Sequence, residues 1–188
     1  MTKPLLPQLK ALGYDPANIT YLALSHYHND HTANANAFSG CHWLVQRAER
    51  EVMFAAEDDP IRNGRITPNK TLFSALESST TTIIENRDHD VFGDGSVVLK
   101  FTPGHTPGHQ SLLVRLRKTG PVLISGDLYH YPAEVNRRAA FVNHASNDQV
   151  TDSRREIEAF LDREGVALWI QHDINRAATF RKAPDYYE

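Results

Sequence analysis

The 188-residue sequence predicts an α/β (α+β) fold in which one sheet packs on another. Three observations carry this. Short apolar or β-branched runs recur along the chain, at Ile19–Leu24, Cys41–Val45, Thr80–Glu85, Val97–Phe101 and Ser111–Leu116. Amphipathic stretches of helical period intermix with them, the clearest from Asp152 to Arg163. Gly, Pro, Asn and Asp punctuate the joins. No internal repeat or low-complexity segment interrupts the pattern, so residues 1–188 read as a single domain, long enough to bury a core.

The elements follow in order. Pro4 to Leu12 reads as a short helix with Leu5, Leu9 and Leu12 on one face and Gly13 closing it. Asp15-Pro16 turns into the Ile19–Leu24 strand, and Thr32–Phe38 reads as a small-residue helix start. Cys41–Val45 is a strand and Ala48–Ala55 a helix. Glu57 to Pro68 is polar, with two prolines and a glycine, and reads as a long surface loop with a flap over the site as its candidate role. Asn69 is placed to cap a helix from Lys70 to Glu77. Thr80–Glu85, Val91–Phe92 and Val97–Phe101 read as strands, with Gly93-Asp94-Gly95 as the hairpin turn between the last two. Ser111–Leu116 and Val122–Ile124 are strands joined at Lys118-Thr119-Gly120. In the helix from Asp152 to Arg163, Ile157, Phe160 and Leu161 form the apolar face and Gly165 ends it. Ala167–Ile170 is the last strand.

Composition narrows the function. The chain is 40% hydrophobic and 23% charged, with a net charge of −3. There is no basic excess, which argues against a nucleic-acid partner. No apolar run approaches the roughly 20 residues of a membrane span, so no membrane partner is expected. The opening residues carry no secretory pattern. A cytoplasmic location is the default expectation, and a periplasmic one applies if the chain is part of a longer precursor. Cys41 is the only cysteine, which excludes an internal disulfide and reads as a buried strand residue.

The chemistry is concentrated in Ser25-His26-Tyr27-His28-Asn29-Asp30-His31, directly after a strand. Imidazole and carboxylate are ligands for zinc and its first-row neighbours. His26 and His28 are two apart, so on extended backbone they point the same way and can share one ion. Asp30 and His31 lie past the turn, free to face a second.

This His-x-His-x-Asp-His signature resembles that of the metallo-β-lactamase superfamily. Three further stretches resemble its later loops in order: Thr102-Pro103-Gly104-His105-Thr106-Pro107-Gly108-His109, Ser125-Gly126-Asp127 and Gln171-His172-Asp173. The resemblance implies an αββα sandwich and a dinuclear hydrolase. His26, His28 and His105 would hold one divalent ion, Asp30, His31 and His172 the other, and Asp127 would bridge. Zinc is the implied metal, with iron, manganese or cobalt compatible. A shared hydroxide would attack a carbonyl or phosphorus, and Asp30 would also carry a proton to the leaving group. An aspartate at 127 and the absence of a long helical extension or a basic arm resemble the acyl-homoserine lactonase group, so lactones or related esters are the expected small-molecule substrates. A phosphotriesterase or β-lactamase-type hydrolase is the alternative, and a non-catalytic metal-binding remnant the third reading. Members of that group place a tyrosine hydroxyl near the substrate carbonyl; the usual spacing falls on His130, and Tyr129 and Tyr131 flank it as candidates. His109 reads as orienting its loop, and His42, His89 and His144 as surface or satisfied histidines.

One departure is noted. Family members begin with several strands before the first ligand loop, whereas here one helix and one strand precede His26. The expectation is an N-terminally shortened domain whose uncovered sheet face is closed by a second copy, giving a homodimer or larger homo-oligomer.

Overall fold

The computed structural model describes residues 4–62, 66–137 and 144–188. Two sheets face each other with helical segments outside both. The first is parallel, β1 (Tyr21–Ala23), β2 (His42–Gln46) and β3 (Thr81–Ile84), in that order. The second has the order β4 (His89–Asp90), β5 (Val97–Phe101), β6 (Gln110–Leu116), β7 (Gly120–Ile124) and β8 (Ala167–Trp169). β4 to β7 are antiparallel neighbours, and β8 joins β7 in parallel.

Alternation along the strands decides which residues enter which layer. Trp43 and Val45 point outward from the first sheet and pack with Val52 and Met53 of α3 (Arg47–Phe54), together with Phe73 and Leu76. Leu44 and Ile84 point inward and meet Leu99 of the second sheet. Leu113 and Leu123 point to the far side and pack under Val150 and Ile157 of α4 (Asn147–Glu164). Ser146 caps α4 by accepting from the Gln149 N–H, and Gly165, at φ +64°, closes it. The layers are therefore helix, sheet, sheet, helix, as expected.

The connectivity places the site. β5, β7 and β8 run in one direction, so their C-terminal ends share an edge of the second sheet. The end of β1 is drawn to the same edge by Gln110, whose N–H donates to the Ser25 carbonyl and whose amide donates to that of Leu24. All four ligand loops open there.

Several expectations shift. The first helix spans Leu5–Ala11 and buries none of its residues. The Lys70–Glu77 region forms two 3-10 turns, Lys70–Leu72 and Ser74–Ser78, because Phe73 turns out of helical geometry (φ −140°) with its ring fully buried; Asn69 does cap the first. The short strand is His89–Asp90 instead of Val91–Phe92. Asp90 carboxylate oxygens accept from the N–H groups of Phe92, Gly93 and Gly95, which draws those residues into the turn. Helices α2 (Asn29–Thr32) and α5 (Ile174–Thr179) complete the chain. The loop from Glu57 to Pro68 contains a 3-10 turn at Pro60–Arg62; its residues 63–65, and with them the flap expectation, lie outside the described residues. No described helix is long and apolar enough to cross a membrane.

Candidate metal centre

The shared edge brings two ligand groups together. One potential ligand atom each from His26, His28, His105 and Asp127 lies within 4.8 Å of the others, and the same holds for Asp30, His31, Asp127 and His172. Asp127 belongs to both groups, and its two oxygens divide between them. Oδ2 lies 3.3 Å from His105 Nε2 and 3.7 Å from His26 Nε2. Oδ1 lies 3.0 Å from His31 Nε2 and 3.1 Å from His172 Nε2.

Two observations test whether these residues fit a metal. His28 Nδ1 and His105 Nε2 face each other at 3.0 Å, near the roughly 3.3 Å edge of a tetrahedron of nitrogens bound at about 2.0–2.1 Å to zinc. His26 Nε2 and Asp127 Oδ1 are buried without a hydrogen bond. Such atoms destabilise a fold unless something else satisfies them, and a divalent cation does.

Partners on the far sides of the rings set the tautomers this needs. Ser25 Oγ lies 3.1 Å from His26 Nδ1 and 2.9 Å from His31 Nδ1. A hydroxyl oxygen accepts two hydrogen bonds, so both rings can carry their proton on Nδ1 and turn an Nε2 lone pair toward Asp127. Asp127 is itself held by its backbone N–H, which donates to His109 Nε2 at 2.9 Å; His109 Nδ1 then donates to the Thr102 carbonyl at 3.0 Å. The close packing here requires Gly126: its φ is +55°, and an added Cβ would stand 2.5 Å from His109 Nε2.

Comparison with known proteins bears on the assignment. A sequence model of the metallo-beta-lactamase superfamily matches residues 2–164. The chain belongs to that superfamily. It is 34% identical over 181 residues to the N-acyl homoserine lactonase AttM of Azorhizobium caulinodans, covering 96% of this chain and 68% of the relative. To an N-acyl homoserine lactonase of Bacillus sp it is 33% identical, covering 95% of this chain and 65% of the relative. The solved structure of an N-acyl homoserine lactone hydrolase, with the product N-hexanoyl-L-homoserine at its catalytic metal centre, superposes with TM-score 0.82 at 28% identity, covering 97% of this chain and 67% of that one. Among these relatives the chain is a metal-dependent hydrolase of the metallo-beta-lactamase superfamily.

Within this metallo-beta-lactamase fold the two groups differ in access. His26, His105 and Asp127 are buried and His28 is half-buried. The Asp30 side chain is 60% exposed and that of His172 36%, so the centre opens to solvent on the side of the second group. Burial lowers the imidazoles: His26 falls well below its ordinary value, His28 to about 4 and His109 to about 3, each further depressed by neighbouring histidines. Burial pushes the Asp127 carboxyl up, but the surrounding imidazoles of His105, His130 and His31 outweigh it and hold it well below the carboxylate range.

Two of the expected catalytic side chains sit elsewhere. Tyr129 is fully buried on the α4 side, where its hydroxyl donates to Glu158 at 3.0 Å and its ring lies under the Arg154 guanidinium. The backbone after Asp127 aims that side chain into the core, so it does not face the ligand groups. Tyr131 is 61% exposed on the outer surface of the loop. The residue between them takes the inner position. His130 Nε2 is 3.3 Å from Asp127 Oδ2, and its ring stacks on His172 with centroids 5.4 Å apart. The hydrogen bond to Asp127 raises its pKa. Buried Glu134 holds this loop: its carboxylate accepts from the His130 and Tyr131 N–H groups and pairs with Arg154, which also donates to the Leu128 carbonyl. His144, expected at the surface or satisfied, is half-buried beside His105, with the two Nδ1 atoms 3.0 Å apart. Burial and the charge of His105 lower it to about 4, so a neutral His144 can accept a hydrogen bond from His105 Nδ1–H, which leaves His105 Nε2 bare for an ion.

Proposed function

We propose that the chain opens lactones of the N-acyl homoserine type by hydrolysis. His26, His28 and His105 would hold one divalent ion, Asp30, His31 and His172 a second, and Asp127 both. The carrying observation is the division of one buried carboxylate between two ligand groups, only one of which opens to solvent. Bound there, two divalent ions supply Lewis-acid polarisation and a water acidified toward neutral pH. Zinc suits the nitrogen-rich donors, and iron, manganese and cobalt are compatible.

The chain's own residues do the rest. Asp30, on the open side, would hold an ion with one oxygen and move a proton with the other, from the attacking water to the ring oxygen that leaves. Water adds to the carbonyl carbon, the carbon–oxygen ring bond breaks, and a hydroxy acid results. The imidazole of His130 stands at the mouth beside His172; with the Asp127 oxygens taken up by the ions, its Nε2–H would be released to face the substrate carbonyl, the role expected of Tyr129 and Tyr131. Ser25 and His109 keep the ligands in the required tautomer and orientation.

The chain is also expected to self-associate. A cavity of about 220 Å³ between the sheets is lined by Ala23, Leu99, Leu112 and Ile124 and reaches Ser25 and His31. Tyr21 of β1 and Phe92, whose rings meet at 5.9 Å, are 40% and 59% exposed. A second copy would cover this apolar edge.

The test is a panel of N-hexanoyl homoserine lactone, a phosphotriester and a β-lactam offered to protein with both ions restored. Ring opening of the lactone at the highest kcat/KM is expected. A faster phosphotriester or β-lactam would reassign the substrate, and no turnover at full metal occupancy would leave a metal-binding protein without this activity.

A further inference from the structure

The three histidines of the first group come from two loops far apart in the sequence, and one buried carboxylate joins those loops. Glu49 lies in the first turn of α3 and is 3% exposed. Its Oε1 accepts from the N–H of Tyr27 at 2.7 Å, the residue between His26 and His28. Its Oε2 accepts from the Thr106 hydroxyl at 2.7 Å and the Gly108 N–H at 2.9 Å, directly beyond His105. α3 passes so close that a Cβ on Gly108 would stand 2.2 Å from the Glu49 nitrogen. A buried carboxylate is tolerated only where donors meet its oxygens, and here those donors include the backbone and hydroxyl of the two ligand loops.

We infer that Glu49 is a positioning residue that sets the separation of the His26–His28 loop from the His105 loop, and thereby the affinity of the first ion. The inference rests on the metal assignment above. Asp30 and His31 reach the centre on α2 and His172 after β8, so the second ion depends less on Glu49.

Glu49→Gln is the primary variant. An amide offers one acceptor oxygen, so its NH2 must confront either the Tyr27 N–H or the Thr106 and Gly108 donors. Loss of such an outer partner weakens metal binding about 10–100-fold. Thr106→Val removes only the hydroxyl bond and gives a smaller loss in the same direction, whereas Thr106→Ser retains it. Zinc dissociation constants are measured by chelator competition on metal-free protein, with circular dichroism confirming the fold; Asp30→Ala marks the second ion. The expected result is a weakened first ion in Glu49→Gln and Thr106→Val, a second ion within about threefold of wild type, and wild-type affinities in Thr106→Ser. Wild-type protein that fails to take two ions sinks the metal assignment itself. Two ions in wild type, with both affinities unchanged in Glu49→Gln and Thr106→Val or with both lowered equally, overturns the role of Glu49 alone.

Discussion

Replacing Gly108 by alanine tests how tightly the His105 loop is pressed on α3. The added Cβ would lie 2.2 Å from the Glu49 nitrogen, 2.5 Å from its Cβ and 2.7 Å from its Cα. Non-bonded heavy atoms prefer about 3.5–4.0 Å, so loop and helix must separate by more than about 1 Å. The obstacle is backbone, which no rotamer change relieves. Overpacking of this kind costs about 1–3 kcal/mol, and the stretched Gly108 N–H bond to Glu49 adds about 1 kcal/mol. A loss of about 2–4 kcal/mol is expected, with turnover down about a hundredfold from the displaced His105. Gly40→Ala is the internal control: nothing lies within 4 Å of its Cβ position and its φ is not positive, so it should gain about 0.4–1 kcal/mol from a stiffer unfolded chain. Urea denaturation of both metal-free variants makes the comparison. If Gly108→Ala came within about 0.5 kcal/mol of Gly40→Ala, the close approach of loop and helix would be wrong.

Further outcomes follow from the same contacts. Ser25→Ala removes the oxygen facing Nδ1 of both His26 and His31 and should weaken both ions about 10–100-fold by chelator competition; an effect confined to one ion contradicts the shared role. Tyr131→Phe should leave kcat/KM within about twofold, and Tyr129→Phe should cost about 1–2 kcal/mol of stability through the lost Glu158 bond with little change in rate; His130→Ala should lower the rate at unchanged metal content, and a reversed order of rate effects would restore the tyrosines. The metal-free protein should lose stability on acidification. His28 and His144 titrate at about 4 and His109 at about 3 in the fold, against about 6.5 unfolded. Between these values the unfolded chain binds more protons, so stability is full above about pH 6.5 and falls as the pH drops toward 4; urea midpoints that stay flat from pH 7 to 5 speak against buried neutral imidazoles. Sedimentation at micromolar concentration should give a dimer or larger species, and a monomer with no hydrophobic-dye binding would remove the self-association proposal.

The sequence disclosed the ligand types because they crowd one loop. His26, His28, Asp30 and His31 fall within six positions, and local spacing was enough to read them. His105, Asp127 and His172 were legible only through resemblance, since each stands alone in its own loop. The residues behind the ligands were hidden. Glu49 is one polar residue in an amphipathic helix, and nothing in its spacing marks a carboxylate that reaches two distant loops. His144 follows no motif, and its contact with His105 exists only in three dimensions. His130 did carry a signal, the spacing from Asp127, but the alternation after Asp127 sends Tyr129 into the core and His130 inward to the site. Among the elements, α4 was the most legible because its period, cap and terminal glycine agree. The 70–78 stretch forms two 3-10 turns instead of one helix because burial of Phe73 overrides local helix preference.

The central claim is that Asp127 joins two ion sites, and counting ions tests it most directly. Elemental analysis of protein that is turning over lactone, alongside Asp127→Ala, measures the bound metal per chain. The account predicts two ions in the wild-type protein and weakened binding of both in Asp127→Ala, with circular dichroism showing the variant folded. One ion or none in active protein, or two ions retained at full rate without the Asp127 carboxylate, would contradict it.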